Sequence, residues 1–479
     1  MNLLEVNAHI QAIETNHDLL QWKIGSWCAW PIIRFNVAMV SSNLIMDNAD
    51  IRLTASEYMQ QSLRDIFGYY RSNHPKALLY VASSNRVEQE SGLFKDVIFD
   101  DLLKYITEYY KIEIINNKHY LKHSQNALYP SQISTSFLFL ISNILSKLPL
   151  PNSIDIVANK FYTIIQKELP NSEMSYSYFC RILRLYYWRK RFYKNLLSRL
   201  NPKVVLLQVA YTNHALIAAA KELNIKTIEF QHGIVDRHHP GYSWLAKAIN
   251  YKMQMPIPDL IFLYGDYWKD ELIVNGFWKK ELRSVGSLRL DDHRNKCLPE
   301  ANEVNRKKPQ KTITVTTQAL DIDQLISFLI EFINTSTIPI EINIKLHPRE
   351  YNRQPYENAF HNYPNVRIIS SHQEPSTFNL LERADFHASI HSTCHYEALG
   401  LGKPTIILPF TNYERILPLC TQAYGYAFLA STPNEMIQII SREINVPSEI
   451  SAYYFRDHAL ENMVNVFQSE VGESIIFRS

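Results

Sequence analysis

A chain of 479 residues exceeds what one ordinary core fills, so length alone points to two or three domains, two being the simplest division. A hydrophobic fraction of 46%, a charged fraction of 20% and only 12 glycines exclude a disordered or fibrous sequence. The 49 Lys and Arg nearly balance 47 Asp and Glu, and the formal net charge of +2 gives no bulk attraction for nucleic acid.

The cysteines, Cys28, Cys180, Cys297, Cys394 and Cys420, lie far apart without a CxxC pair, which suggests neither a zinc site nor a disulfide framework and fits a reducing cytoplasm. The N-terminus lacks the basic start and apolar run of a secretory signal. The longest apolar stretch, 137–150, is broken by Ser142, Asn143, Ser146 and Lys147 and falls short of the roughly 20 residues that span a bilayer. The chain is therefore expected not to be integral to a membrane.

Residues 1–70 carry helical patterning, with Trp22, Trp27 and Trp30 beside Pro31 and Arg34, and read as a cap that packs aromatics onto the next domain. That domain is expected over 71–292. It opens with the apolar run 77–82, the pattern of a strand buried on both faces of a parallel sheet, which ends in Ser83-Ser-Asn-Arg86. A βαβ unit spans 203–233: strand 204–209, a helix from Asn213 through Glu222, Asn224 as its stop, and strand 226–230 running into Gln231-His-Gly233. The apolar run 260–263 leads to Tyr264-Gly265, a helix and Ser284-Val-Gly-Ser287. Residues 293–311, rich in charge and Asn, read as the interdomain linker.

Alternation then restarts over a second domain, 312–447. Strands are expected at 312–317, 341–346, 366–369, 386–389 and 404–408, with helices at 322–333, near Leu380 and after Ser392. A C-terminal helix is expected within 448–479, from about Ser448 to Phe467. Such alternation gives an α/β fold of two doubly wound, Rossmann-like parallel-sheet domains, expected to face a central cleft that suits a nucleotide-activated donor.

Three segments carry candidate chemistry. In Ile390-His-Ser-Thr-Cys-His-Tyr-Glu397 a strand stops and a helix starts at Ser392-Thr393, where hydroxyls and backbone N–H groups suit a phosphate, and Glu397 one turn on suits ribose hydroxyls. The same residues also fit a plain N-cap and a structural acid. In Lys345-Leu-His-Pro-Arg349, Lys345 and His347 at a strand end could neutralise phosphate charge, and a lone histidine there is also commonly structural. Around Gln231-His-Gly233, with His238, His239 and Tyr242 following, Gly233 permits a sharp turn; metal binding is not expected. Candidate acid, base or nucleophile residues are Glu90 in Glu88-Gln-Glu-Ser-Gly92, Glu229 and His232. Asn85, Arg86, Gln231 and His239 are candidates for acceptor or sugar binding, Arg86 through its planar fork. Helix-like residues 176–203 hold Arg181, Arg184, Arg189, Lys190, Arg191, Lys194 and Arg199 among aromatics and no acid, reading equally as a solvated helix or one resting on anionic lipid.

Together these segments resemble a family. Ser392-Thr393 and His347-Pro348 are similar to the Ser-Ser/Thr and His-Pro motifs of bacterial GT-B sialyltransferases, and Gln231-His-Gly233 with Tyr264-Gly265 and Val285-Gly286 resembles capsule and O-antigen transferases, including those that use Kdo. Related patterns occur in glycerophosphotransferases of teichoic acid synthesis. The resemblance covers about residues 200–425 and implies that His347, Ser392 and Thr393 hold the phosphate of a donor nucleotide, often CMP. It departs in the first domain, where the acidic motif of sialyltransferases is matched only loosely by Glu88-Gln-Glu-Ser-Gly92. The expectation is a metal- and cofactor-independent transferase that moves a sugar from a nucleotide donor to a hydroxyl of a growing surface polysaccharide, on a glycan or lipid-linked acceptor, without nucleic acid. Such an enzyme would sit in the cytoplasm, with peripheral contact to the inner membrane. The alternatives are a CDP-polyol phosphotransferase, a nucleotide-sugar epimerase and a non-catalytic scaffold of the assembly complex.

Overall fold

The computed structural model describes residues 3–41, 53–54, 56–63, 78–81, 86–89, 91–106, 108–113, 115, 117–131, 133–148, 150, 152–170, 172–297, 310–347, 350, 352–370, 375–423 and 425–472. The chain divides into two compact units, one of Met1–Leu263, Trp268–Ser284 and Leu460–Ser479, the other of Tyr264–Tyr267 and Val285–Ala459.

The first unit is built on seven parallel strands: β1 (Leu78–Val81), β2 (Tyr109–Glu113), β3 (Ile133–Ser134), β4 (Val204–Leu207), β5 (Lys226–Phe230), β6 (Leu260–Leu263) and β7 (Leu282–Ser284). They lie in the order β7-β6-β5-β4-β1-β2-β3. The second unit has six parallel strands: β8 (Lys311–Thr316), β9 (Ile340–Lys345), β10 (Val366–Ile369), β11 (Phe386–Ser389), β12 (Thr405–Ile407) and β13 (Ala427–Leu429), in the order β10-β9-β8-β11-β12-β13. The expected α/β class with two doubly wound parallel sheets is what the structure shows. Central strands are buried along their length, as in Val204-Val-Leu-Leu207 and Leu260-Ile-Phe-Leu263, because helices cover both sheet faces.

In each sheet the strand order reverses between the first and fourth strands, at β1/β4 and at β8/β11. Loops diverge there, and the carboxyl ends of the strands frame a crevice.

Helices α1 (Leu3–Asn16) and α2 (Trp30–Ser41) attach to the first unit through a buried ion pair. Arg34 Nε donates to Glu14 Oε1 at 2.6 Å, Trp30 Nε1 donates to the same oxygen at 2.6 Å, and the guanidinium also meets the carbonyls of Ser243 and Pro240. Trp22 and Trp30 pack against Phe161. Helix α3 (Tyr176–Leu200) starts at an N-cap, Ser175, and ends where Asn201 turns left-handed at φ 43°. Its cations are partly paired inside the protein: Arg184 with Asp155, Lys190 and Lys194 with Glu222, and Arg189 over the ring of Phe139. Arg181 and Arg191 are exposed. No helix among the described residues is long and apolar enough to cross a membrane.

The expected linker at 293–311 begins inside helix α4 (Leu288–Cys297) and ends on β8; residues 298–309 lie outside the described residues. The single helix expected from Ser448 to Phe467 is two, α5 (Ser448–Tyr454) and α6 (Ala459–Val471), parted by a turn in which His458 has φ 61°. Helix α5 packs in the second unit, where Ser451 Oγ donates to the Leu399 carbonyl at 2.8 Å. Helix α6 packs in the first, with Phe467 against Phe262 and Glu470 between Lys226 and Arg283.

Two glycines make the second unit's close approach possible. A Cβ on Gly265 would lie 2.4 Å from the Tyr453 carbonyl oxygen, and one on Gly286, at φ +95°, would lie 2.3 Å from that of Arg456. Gly286→Ala is therefore expected to lower stability by about 2–5 kcal/mol through a strained backbone plus a backbone clash. Gly92→Ala, at φ +76° with open space around it, carries only the conformational part, about 1 kcal/mol. Urea unfolding of both variants checks this, and equal losses would contradict it.

Candidate functional site

In the second unit the crevice lies between the ends of β8 and β11. Beneath it two buried histidines tie strands together: His387 Nε2 lies 2.9 Å from Thr316 Oγ1, its Nδ1 lies 2.8 Å from Thr405 Oγ1, and His395 Nδ1 lies 2.6 Å from the same hydroxyl. Burial pushes both imidazoles down, His395 to about 3, so they act as neutral hydrogen-bonding partners. Ser389 Oγ, at the end of β11, donates to the Thr316 carbonyl at 2.6 Å.

The loop leaving β8 is strained. Ala319 has φ 56° and Asp321 φ 50°, conformations that L residues adopt at a cost of about 1–3 kcal/mol each and that concentrate at ligand clamps. Asp321 fastens the loop by accepting from the Thr411 N–H at 2.7 Å and its hydroxyl at 2.9 Å. Leu320, 39% exposed, stands at its tip. On the other side, Ser392 Oγ accepts from the Cys394 N–H at 3.2 Å, and Thr393 precedes the short helix Cys394–Gly400 without a capping bond of its own. His391 is half-buried beside the charge of Arg415, and burial, then Arg415, lowers its pKa. Glu397 is likewise half-buried, its carboxyl pushed up by burial against the opposing pull of Arg289.

The expected phosphate ligand Lys345 is corrected by its surroundings. Its side chain is buried and its ammonium donates to the carbonyls of Ser370 at 2.8 Å and Pro375 at 3.0 Å, so it braces the loop after β10 instead of facing a ligand. His347 stands at the end of β9, where its N–H donates to Thr317 Oγ1 at 2.9 Å. Thr317 in turn donates to Glu350, which also accepts from Tyr356 at 2.8 Å. Pro348 lies outside the described residues.

In the first unit, Glu90 and Asn85 lie outside the described residues. Arg86 is not an open fork. It pairs with buried Glu113, which also lies 3.4 Å from the buried Lys111 ammonium, so its charge is used within the protein. Gln231 is buried and closes its own turn by donating to the Gly233 carbonyl at 2.8 Å. His239 accepts from the Gly241 N–H at Nδ1 and packs beside Phe35, Tyr211 and Tyr242.

Glu229 is also corrected as a nucleophile. It is fully buried on β5, accepting from the Ala210 N–H at 2.9 Å and the Tyr242 hydroxyl at 2.5 Å, and burial raises its pKa to about 8. It lines a cavity of about 10 Å³ with Arg34, Tyr211 and Trp244, room for about one water and far too little for a sugar. With no exposed surface and room for only about one water beside it, the carboxyl has no approach to an anomeric carbon; it fixes the 210–212 turn and Tyr242. His232, at the end of β5, is half-buried with Nε2 3.1 Å from the Tyr211 hydroxyl, and burial lowers its pKa to about 4. It is neutral at ordinary pH. Among the described residues no group of three His, Cys, Asp or Glu could hold a metal ion.

Sequence reasoning missed Arg415, Asp321 and Tyr211. Arg415 sits 23 positions downstream of Ser392 without a motif around it, whereas the strained loop had a signal in its Gln318-Ala-Leu-Asp321 stretch directly after a strand.

No family model and no curated protein matches the chain. Among solved structures it is similar to a UDP-GlcNAc 2-epimerase from Neisseria meningitidis bound to UDP-GlcNAc, at 16% identity and TM-score 0.49 over 82% of this chain and 99% of that one. It is similar to a UDP-GlcNAc 2-epimerase from Methanocaldococcus jannaschii in complex with UDP-GlcNAc and UDP, at 15% identity and TM-score 0.44 over 82% and 99%. It is also similar to the wall teichoic acid polymerase TagF, at 14% identity and TM-score 0.43 over 87% and 94%. None of these scores reaches 0.5, and the architecture and sites described above stand on their own geometry.

Glu229 gives a signed pH dependence. Its folded pKa, about 8, lies above the ordinary 4.5, so the proton it keeps on folding stabilises the protein below pH 4.5, and that contribution is lost as pH rises toward 8. Glu229→Gln keeps an acceptor for Ala210 and Tyr242 but has no proton to lose. Relative to wild type it is expected to gain stability through this window, by up to about 1.4 kcal/mol per pH unit. Urea unfolding at several pH values reads the difference, in which the other titrating groups cancel; a constant difference would contradict a raised Glu229 pKa.

Proposed function

We propose that this chain is a glycosyltransferase that uses a nucleotide-activated sugar, its nucleotide held at the β8/β11 crevice of the second unit. The observation that carries the reading is the strained 317–321 loop facing the Ile390–Thr393 turn where the strand order reverses, the place at which open parallel sheets bind nucleotides. Ser392 and Thr393 offer hydroxyls to phosphate oxygens. Arg415 takes the cationic role that Lys345 cannot, His391, its charged form disfavoured by burial and by Arg415, offers a hydrogen bond beside it, and His347 borders the same edge of the sheet. Glu397, one turn along the helix, accepts from ribose hydroxyls, and Leu320 covers the base.

A donor with one phosphate, a CMP-sugar such as Kdo or sialic acid, is favoured by the motif resemblance at His347-Pro348 and Ser392-Thr393, with UDP and GDP donors next. In the first unit His232, its Nε2 at the Tyr211 hydroxyl, is the residue assigned to accepting the proton of an attacking glycan hydroxyl; in the transfer the bond from the anomeric carbon to the phosphate oxygen breaks and the nucleotide leaves. The product is a lengthened surface polysaccharide. Peripheral contact with an anionic membrane falls to exposed Arg181 and Arg191 on α3.

A thermal-shift panel of CMP, CDP, UDP and GDP without added metal tests the donor. Selective stabilisation by CMP is expected, with affinity reduced at least about tenfold in Arg415→Ala. A CDP preference, with phosphorus in the product, would favour polyol phosphate transfer; conversion of the donor sugar without acceptor would favour an epimerase; no shift with any nucleotide would leave the scaffold.

His232→Ala is expected to lower kcat by about 10²-fold or more while nucleotide affinity stays unchanged. Steady-state kinetics with nucleotide titration separates the two effects, and an unchanged kcat would remove His232 from the reaction.

A further inference from the structure

The longest apolar stretch of the chain folds in the first unit as a helix turned inside out. In Ser136–Leu145 the two buried residues are Ser136 and Ser142, and Ser146 in the turn that follows is buried with them. Their hydroxyls are used locally: Ser136 donates to the Ile115 carbonyl at 3.2 Å, Ser142 to that of Phe139 at 3.0 Å and Ser146 to that of Asn143 at 2.8 Å. The serines that interrupt the apolar run in sequence are therefore its inward face. Arg189 of α3 meets that face, its guanidinium 4.2 Å from the Phe139 ring centroid and its Nε donating to Ser142 Oγ at 3.4 Å.

At about 3.6 residues per turn, Phe137, Ile141 and Ile144 fall on the side opposite the serines, and Leu148 extends the row. All four are partly exposed, Ile144 and Leu148 by 52% each. Scattered exposed apolar residues are ordinary, but a row of them on a helix whose serines point inward reverses the pattern of a water-facing helix. Charge narrows what covers the row. No Asp or Glu occurs between Glu113 and Asp155 or between Glu173 and Glu222, so the helix, its following turn and α3 carry no negative charge. Lys147, next to the apolar row, and Arg181 and Arg191 on α3 are exposed. Apolar side chains with cations and no acids complement an anionic bilayer, which offers acyl chains beneath a layer of phosphates. The 10 residues of the helix rise about 15 Å, half the roughly 30 Å of bilayer hydrocarbon, so it would lie along the surface.

We infer that the first unit docks on an anionic lipid bilayer through this helix, with Phe137, Ile141, Ile144 and Leu148 entering the boundary between head groups and acyl chains and Lys147 among the lipid phosphates. The inference rests on the membrane contact assigned above to Arg181 and Arg191 and deepens it. Cations attract the protein to the surface but are screened by salt, whereas the apolar row supplies a hold that salt does not weaken.

Sedimentation of the full chain with sucrose-loaded vesicles tests it, the vesicles being phosphatidylglycerol and phosphatidylcholine in equal parts, or phosphatidylcholine alone. Binding to the anionic vesicles is expected, with affinity at least about tenfold weaker for the neutral ones and at least about tenfold weaker in Ile144→Ser/Leu148→Ser. Leu148→Asp alone, outside the helix and exposed, is expected to weaken it in the same direction. At about 1 M salt, wild type is expected to keep a bound fraction that the serine variant loses. The inference is overturned if wild type binds neither vesicle or both equally, or if the serine variant binds the anionic vesicles as tightly as wild type. It is also overturned if ultracentrifugation shows a dimer that the serine variant dissolves, which would give this face to a second copy of the chain. Vesicle binding needs neither donor nor acceptor. Loss in Arg181→Glu/Arg191→Glu without loss in the serine variant would keep the earlier contact and remove this one, and stabilisation by nucleotide judges the transferase reading separately.

Discussion

In both units a parallel sheet is covered by helices on its two faces, so each strand must be followed by a crossover before its neighbour can form. That constraint gathers every loop that leaves a strand's carboxyl end onto one edge of its sheet. The order then reverses once in each sheet, and the loops on either side of the reversal part. In the second unit the parting strands are β8 and β11, and the chain there tolerates two left-handed non-glycine residues within three positions, Ala319 and Asp321. A loop that needed only to connect a strand to a helix could have used glycine. Its shape is instead held from outside, by Asp321 on Thr411, and from below, by the Thr316–His387–Thr405 chain of hydrogen bonds.

Buried charge is the second theme, and it serves attachment more than chemistry. Glu14 and Arg34 join the N-terminal helices to the 240–243 loop, and Glu113 gathers Arg86 and Lys111 at the end of β2. Breaking such a pair leaves an uncompensated charge and costs about 3–5 kcal/mol, so these groups specify one arrangement of their loops. Glu229 follows a different logic. Burial raises its pKa, and it holds Ala210 and Tyr242 through hydrogen bonds instead of an ion pair. The loops after β4 and β5 are thereby fixed, and His232 and Tyr211 stand where those two loops meet.

The architecture was legible because parallel strands announce themselves as short apolar runs: 226–230, 260–263, 366–369 and 386–389 match β5, β6, β10 and β11 residue for residue. Strand β2 escaped notice because Tyr109-Tyr-Lys-Ile-Glu113 carries two charges that a central strand would not be expected to bury; they are satisfied by Arg86 and by one another, which no local pattern reveals. The turn between α5 and α6 was missed for a similar reason, since His458 adopts φ 61° without a glycine to signal it. At the site, the strand-end positions of His347, Ser392 and His232 were legible, but which groups face outward was not. Lys345 and Arg86 look like phosphate and carboxylate ligands in sequence, and their partners, two carbonyls and a distant glutamate, appear only in three dimensions.

The central claim, that nucleotide binds at the β8/β11 crevice, is tested most directly by hydrogen exchange read by mass spectrometry with and without CMP. The account predicts slowed exchange in peptides covering 316–321 and 389–394, with the 226–233 region of the first unit unchanged by the nucleotide alone. Saturating CMP that leaves both crevice peptides unprotected, or protects the first unit's strand ends instead, would contradict it.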